Sequence, residues 1–370
     1  MSVEVYLADL RATHKNNIFS KIRRLLKSIG LEHGVDKGAL TGIKLHFGEE
    51  GNASFIRPIL VRPVAEMVAA CGGKPFVTDT NTLYVGSRSD AVSHLETAAR
   101  HGFDLNVLGA PVLIADGLRG NSTRTVEVGL RHFETVKIAA EIVNADTLVV
   151  LTHFKGHGLT GFGGALKNLG MGCAGREGKL AQHSNLGPKV VRKRCVGCGH
   201  CREWCPVGAI TLDPESGKAK ISDEICIGCG ECIVVCPQKA VNIRWNQTIP
   251  AFQEKMVEHA YGACKNKRER CFFINFVLQV SPACDCYGHN DMPIVADIGL
   301  LAATDPVALD QACADLVLAA PGMPGSALGD DLEPGTDKFR RIYPGVDWQW
   351  QLAYAEEIGL GTRKYELRRI

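Results

Sequence analysis

Eight of the fifteen cysteines fall into two copies of one spacing, Cys195-x2-Cys198-x2-Cys201-x3-Cys205-Pro206 and Cys226-x2-Cys229-x2-Cys232-x3-Cys236-Pro237. Three thiols two residues apart can wrap one corner of an iron–sulfur cubane, and Gly197, Gly199, Gly228 and Gly230 let backbone amides approach the sulfides. The spacing points to two [4Fe–4S] clusters and to one-electron chemistry. Structural zinc fits poorly, because it takes its ligands in two separated pairs, not as a third cysteine and then a fourth before proline, twice. A disulfide framework would need an oxidising compartment.

The doubled run resembles that of bacterial two-cluster ferredoxins, in which the fourth ligand crosses between clusters. The resemblance implies that Cys195, Cys198, Cys201 and Cys236 hold one cluster and that Cys226, Cys229, Cys232 and Cys205 hold the other. Each crossing cysteine is expected to open a short helix with its proline in the first turn, where a missing N–H costs nothing. Residues 191–244 then form an inserted α+β ferredoxin-like domain. Lys and Arg slightly outnumber Asp and Glu in it, unlike the acidic surface of a freely diffusing ferredoxin, so it reads as built into a larger protein.

The remainder, 1–190 and 245–370 of 370 residues, is long enough for a full core. Short strands alternate with helices: strands at Val3 to Leu7, Ala39 to Phe47, Lys74 to Asp79, Pro111 to Ala115, Asp146 to Leu151, Phe272 to Val280 and Pro293 to Leu301. The helices lie near 18–29, 58–71, 250–264 and 346–357, with others ending near Gly102 and starting at Pro306. This pattern predicts an α/β domain with an open, mostly parallel sheet and helices on both faces. Ligands of such sheets bind beyond the carboxyl ends of the strands. His46, Asp79, Asp116 and His153 all stand there.

His153 also opens a glycine-rich stretch, His153-Phe-Lys155-Gly156-His157-Gly158-Leu-Thr-Gly161-Phe-Gly163-Gly164-Ala-Leu-Lys167-Asn168. Its glycines lie too far past the strand for a dinucleotide fingerprint, and Lys167 follows leucine, which excludes a Walker A loop. The stretch is expected to cradle an anion or cofactor on its N–H groups. Its candidate catalytic residues are His153, Lys155, His157 and Lys167, and its candidate cofactor-binding residues are Gly161, Gly163, Gly164 and Asn168, joined by His46 and Asp79. Cys284-Asp-Cys286 follows another strand and could meet Cys173 in a third metal centre. A flavin is the other cofactor open to the domain. Asp310 and Gln311 read as the exposed face of a helix, and Cys71 and Cys313 as core residues.

Over nearly its whole length the chain resembles the iron–sulfur proteins of domain of unknown function 362, in versions with a ferredoxin insert. The resemblance rests on Lys44-Leu-His46-Phe-Gly48-Glu49, on the glycine-rich stretch through Gly170, and on Cys284-x-Cys286 followed by Asp297-Ile-Gly299 and Asp305-Pro306-Val-Ala-Leu-Asp310. It implies iron–sulfur binding and a redox role without a defined substrate. The expected activity is that of a ferredoxin-linked oxidoreductase module, passing electrons between a redox partner protein or small acceptor and a site on the α/β domain. The alternative is a non-catalytic carrier or adaptor in a larger redox complex. Net charge is +2, and only the Lys265 to Arg270 run would favour nucleic acid. No apolar run reaches bilayer length and no signal peptide opens the chain, so a cytoplasmic, oxygen-poor setting is expected.

Overall fold

A computed structural model describes residues 2–370. Its centre is an eight-stranded sheet of β1 (Val3–Ala8), β2 (Leu40–Lys44), β3 (Lys74–Asp79), β4 (Val112–Ile114), β5 (Thr147–His153), β6 (Cys271–Val277), β7 (Gly299–Ala303) and β8 (Tyr365–Arg369). The spatial order is β8-β1-β7-β6-β5-β2-β3-β4. All strands run one way except β7, which is antiparallel to both β6 and β1. The sheet is therefore mostly parallel, as the strand–helix alternation predicts.

The middle strand, β5, is buried along its whole length. Leu148 and Val150 enter one core and Val149 and Leu151 the other, the alternation of a pleated strand covered on both faces. Helices α1 (Ile18–Ser28), α2 (Arg62–Ala70) and α3 (Ala91–Arg100) bury Ile22, Leu25, Val64, Val68 and Ala98 on the second of these faces. On the first lie α4 (Ala165–Gly170), α6 (Ile249–Cys264), α7 (Pro306–Ala319) and α8 (Gln349–Glu357), while α5 (Arg176–His183) packs beside α6. The caps are readable locally: Asp305, not Thr304, accepts from the Val307 and Ala308 N–H groups, with Pro306 in the first turn. Among the described residues no helix is long and apolar enough to cross a membrane.

Residues 189–242 add no strand to this sheet. Lys189–Val190 pairs with Val241–Asn242 and Ile210–Leu212 with Ala219–Ile221, all antiparallel. Ile210, Ile221, Ile233 and Val241 form a small core that Leu83 and Leu180 of the larger body complete. Pro206 and Pro237 sit in turns, contrary to the expected helix starts. The one-turn helices are His200–Glu203 and Glu231–Val234, one step earlier, and carry Cys201 and Cys232.

Three elements escape the pattern reading. A hairpin, Thr123–Glu127 with Thr135–Ala139, and the edge strand β8 intersperse polar residues among their apolar ones, so neither shows an apolar run. The strand expected from Pro293 begins only at Gly299, whose φ of 147° no residue with a Cβ adopts easily.

Candidate functional site

The eight repeated cysteines gather into two hollows. One is lined by Cys195, Cys198, Cys201 and Cys236, the other by Cys205, Cys226, Cys229 and Cys232. The last cysteine of each run thus stands with the first three of the other. Gly197, Gly199, Gly228 and Gly230 all have φ between 73° and 80°, which turns the chain tightly enough to place thiols two residues apart around one centre. Backbone N–H groups of Ala209, Ala219 and Ala240 donate to the sulfurs of Cys205, Cys195 and Cys236 at 3.2, 3.4 and 3.2 Å. Burial, with the other sulfurs nearby, raises the thiol pKa values of Cys201 and Cys232. Among the described residues no three His, Cys, Asp or Glu side chains converge tightly enough to hold a single metal ion.

The second site lies where the parallel strands end. β2, β3 and β5 deliver Lys44 and His46, Asp79, and His153 to the wall of a cavity of about 400 Å³, joined by Lys155, His157, Lys167, Asn168 and Cys286. Lys44 Nζ bonds the Asp79 carboxylate at 2.9 Å and Asn168 Oδ1 at 2.7 Å, while Asn168 Nδ2 donates to the Leu151 carbonyl at 2.9 Å. Burial alone would raise the Asp79 pKa, but Lys44, His46, His94 and Arg88 outweigh it and hold the carboxyl well below its usual range. Arg88 also pairs with Glu49 at 3.1 Å and donates to the Tyr84 hydroxyl at 2.9 Å.

Beyond β5 the chain turns into a short hairpin, Lys155–His157 with Gly161–Gly163, and then α4. Asp285, between the two loop cysteines, is fully buried and meets His153 Nδ1 at 2.9 Å and Lys155 Nζ at 3.4 Å. His153 Nε2 faces the Leu278 carbonyl at 2.9 Å. Both nitrogens of His153 thus face oxygen atoms, and the residue ties the end of β5 to the Cys284–Cys286 loop. Lys155 Nζ also donates to the His153 carbonyl at 2.7 Å. Lys167 Nζ lies 3.2 Å from Cys284 Sγ. His157 Nδ1 faces the Thr160 hydroxyl at 2.8 Å and the Leu159 N–H at 3.3 Å. Burial and then Lys167 and Lys155 push its pKa well down, leaving a neutral imidazole on the cavity wall.

The glycine-rich stretch does not offer the anion cradle expected of it. The N–H groups of Ala165 and Leu166, which open α4, donate to the Asp310 carboxylate at 2.7 and 2.9 Å, and Asn275 donates to the same group at 2.7 Å. A Cβ at Gly164 would run into that carboxylate, and one at Gly161 into Trp348. Of the three glycines only Gly164 reaches the cavity wall. Asp310, read from sequence as an exposed helix face, is fully buried, and burial lifts its pKa to about 6 against these hydrogen bonds. Cys173 does not join Cys284 and Cys286: it packs in the apolar core, near Lys44 and Cys264, where burial raises its pKa to about 12. Asp116 is held behind the wall by the Asn81 N–H and side-chain amide at 2.9 and 3.0 Å.

Sequence reading assigned no role to Arg88, Lys179 or Asp285. Lys179 is buried, donates to the Thr80 hydroxyl and Ala174 carbonyl at 2.6 Å each, and has its pKa lowered to about 8 by burial, against the pull of Asp116 and Asp79. The available signal was a charged residue inside an otherwise buried helix, but partners from other strands give it meaning.

No curated protein matches the chain. Among solved structures it is similar to the lactate racemase apoprotein from Thermoanaerobacterium thermosaccharolyticum, at 14% identity over 75% of this chain and 51% of that one, with a TM-score of 0.39. It is also similar to a protein from Thermotoga maritima, at 10% identity over 84% and 60% of the respective chains, with a TM-score of 0.38. The chain thus spans less than two thirds of either structure, and neither likeness is close enough to carry chemistry across. The family pattern called domain of unknown function (DUF362) matches residues 41–315, well over half of the sequence, and the protein belongs to that family.

Proposed function

We propose that the protein is an iron–sulfur electron-transfer module that passes electrons between an external carrier and the cavity at the sheet's carboxyl edge. The observation that carries this reading is the gathering of eight cysteines into two sets of four, each set combining three thiols of one run with the fourth of the other. The residues fit two [4Fe–4S] clusters: four sulfur donors per hollow, mostly apolar walls, and backbone N–H groups aimed at three of the sulfurs. Such clusters, when bound, supply one-electron transfer.

The chain's own residues give the transfer a direction. Cys198 is exposed beside Val196, which is 67% exposed, so an external partner can reach the first hollow. The Cys226–Cys232 loop lies against the larger body, where Gly230 packs on the Arg176 side chain and near Leu83. Leu83 belongs both to the small core of residues 189–242 and to the cavity wall. Electrons enter at the first hollow and leave from the second toward the cavity. There Lys155 and Lys167 place positive charge beside a bound acceptor, and the neutral imidazole of His157 donates a hydrogen bond to it from Nε2. The cavity favours an oxidoreductase over a passive adaptor.

Anaerobic purification with iron, sulfide, zinc and flavin quantitation, followed by EPR of the dithionite-reduced protein, tests this. About eight iron and eight sulfide per chain are expected for two cubanes. Stoichiometric zinc without sulfide would overturn the reading.

A further inference from the structure

Cys284 and Cys286 stand on a loop that the body grips from several sides. The Ser281 carbonyl accepts from the Gly156 N–H at 2.8 Å, the Pro282 carbonyl from the Tyr343 hydroxyl at 2.7 Å, and the Cys286 carbonyl from the Tyr84 hydroxyl at 2.9 Å. A hydrogen bond of 3.1 Å from the Tyr287 N–H to the Cys284 carbonyl closes a turn over Cys284-Asp285-Cys286. That turn brings the two cysteines together on one side of the loop, with the Cys284 sulfur against the Cys286 backbone. Asp285 anchors its centre through His153 and Lys155. Cys284 Sγ lies 3.2 Å from Lys167 Nζ and 3.4 Å from the Cys286 N–H, two donors that favour a thiolate. Cys286 lines the cavity.

We propose that Cys284 and Cys286 form a reversible dithiol–disulfide couple in the cavity wall, which stores two electrons for a two-electron acceptor bound beside it. In the oxidising direction two thiols lose two protons and two electrons, and one S–S bond forms. In the reducing direction the S–S bond breaks as two electrons arrive singly from a low-potential one-electron carrier. One sulfur takes a proton, and the other remains a thiolate paired with Lys167 until it too is protonated from solvent. The source of electrons rests on the proposed function above; the chemistry of the pair does not. Lys167 holds the Cys284 sulfur as the attacking or leaving thiolate, and the cavity gives an acceptor access to Cys286.

The couple is tested on the purified holoprotein, equilibrated anaerobically in mixtures of reduced and oxidised dithiothreitol, alkylated and mapped by mass spectrometry. Mapping separates this pair from Cys264 and Cys271, which neighbour each other in the apolar core. The peptide holding Cys284 and Cys286 should pass from two alkyl groups to none, with the tenfold change in ratio per roughly 30 mV that a two-electron couple requires. Lys167→Met should slow alkylation of Cys284 at neutral pH by tenfold or more. A peptide carrying two alkyl groups at every potential would overturn the proposal. So would a stoichiometric metal ion that both Cys284→Ser and Cys286→Ser lose. If the pair titrates but iron and sulfide are absent, the electron-transfer reading fails and the couple stands. If iron and sulfide are present but the pair does not titrate, only the couple fails.

Discussion

The cysteine unit and the sheet-edge cavity solve the same problem, holding reactive side chains at fixed separations, in opposite ways. In the unit all eight candidate donors lie between Cys195 and Cys236, Cys201 and Cys232 on helices of four residues and the rest on the loops around them. Among the described residues, backbone N–H groups donate to three of these eight sulfurs. At the cavity the side chains come from separate segments of the chain and satisfy one another: Lys44 with Asp79 and Asn168, His153 and Lys155 with Asp285, Arg88 with Glu49. On the function proposed above, a bound cluster would complete the unit's geometry, whereas the cavity is organised before anything binds.

The largest expected effect follows from that contrast. Cys236→Ser and Cys205→Ser should each remove about half of the bound iron, by disabling one hollow while the other keeps its four thiols. Hydrogen exchange should quicken across 189–242 and stay unchanged in β5 and β6. If either variant loses all iron, or if exchange in β5 rises as well, the two regions are not independent.

The cavity should respond differently, through stability. Asp79→Ala leaves Lys44 and Arg88 without their shared carboxylate in a fully buried site. Removing one partner of such a pair costs about 3–5 kcal/mol, read as a lower denaturant midpoint with iron content unchanged. A loss below about 1 kcal/mol would mean that water enters and the site is not preorganised.

Lys179 sharpens the same point through pH. Its pKa falls from 10.5 unfolded to about 8 folded, because burial penalises the charge. The folded state therefore favours the neutral amine, and the contribution is fully present above 10.5 and lost as pH falls to about 8. Unfolding free energy should gain about 3 kcal/mol from this group between those limits. Lys179→Met should flatten the profile there. An unchanged slope in the variant would assign the pH dependence elsewhere.

How much of this was legible in the sequence divides along the same line. The cysteine runs are local, so their spacing, with the resemblance to two-cluster ferredoxins, anticipates which thiols share a hollow, and a strand's end marks His46, Asp79 and His153 as neighbours across parallel strands. Helix caps such as Asp305 are equally local. The fate of the glycine-rich stretch was not legible, because the carboxylate that occupies its N–H groups belongs to Asp310, 145 residues away. Asp285 was invisible for the same reason: nothing near it in sequence shows that His153 will lie 2.9 Å from it. The direction of β7 escaped too, since an apolar run carries no sense of which way its neighbours go.

The smallest effect concerns the seam between the two regions. Arg119, from the body, lies over the Trp204 ring at 4.0 Å, and Trp204 borders the second hollow. A cation–π contact at a partly exposed site is worth about 0.5–1 kcal/mol, too little to affect the fold but enough to order one tryptophan. Arg119→Ala should shift Trp204 emission to the red, measured as the difference from the same variant carrying Trp204→Phe, because the ring gains water in place of the guanidinium. Midpoints of unfolding should fall by no more than a degree or two. The contact is separate from the Arg176–Glu231 pair, at 3.5 Å, that also crosses the seam. A difference spectrum identical to wild type would mean that the unit does not rest on the body at Trp204. The contact near Leu83 and Arg176 would then be the seam that fixes the second hollow against the cavity.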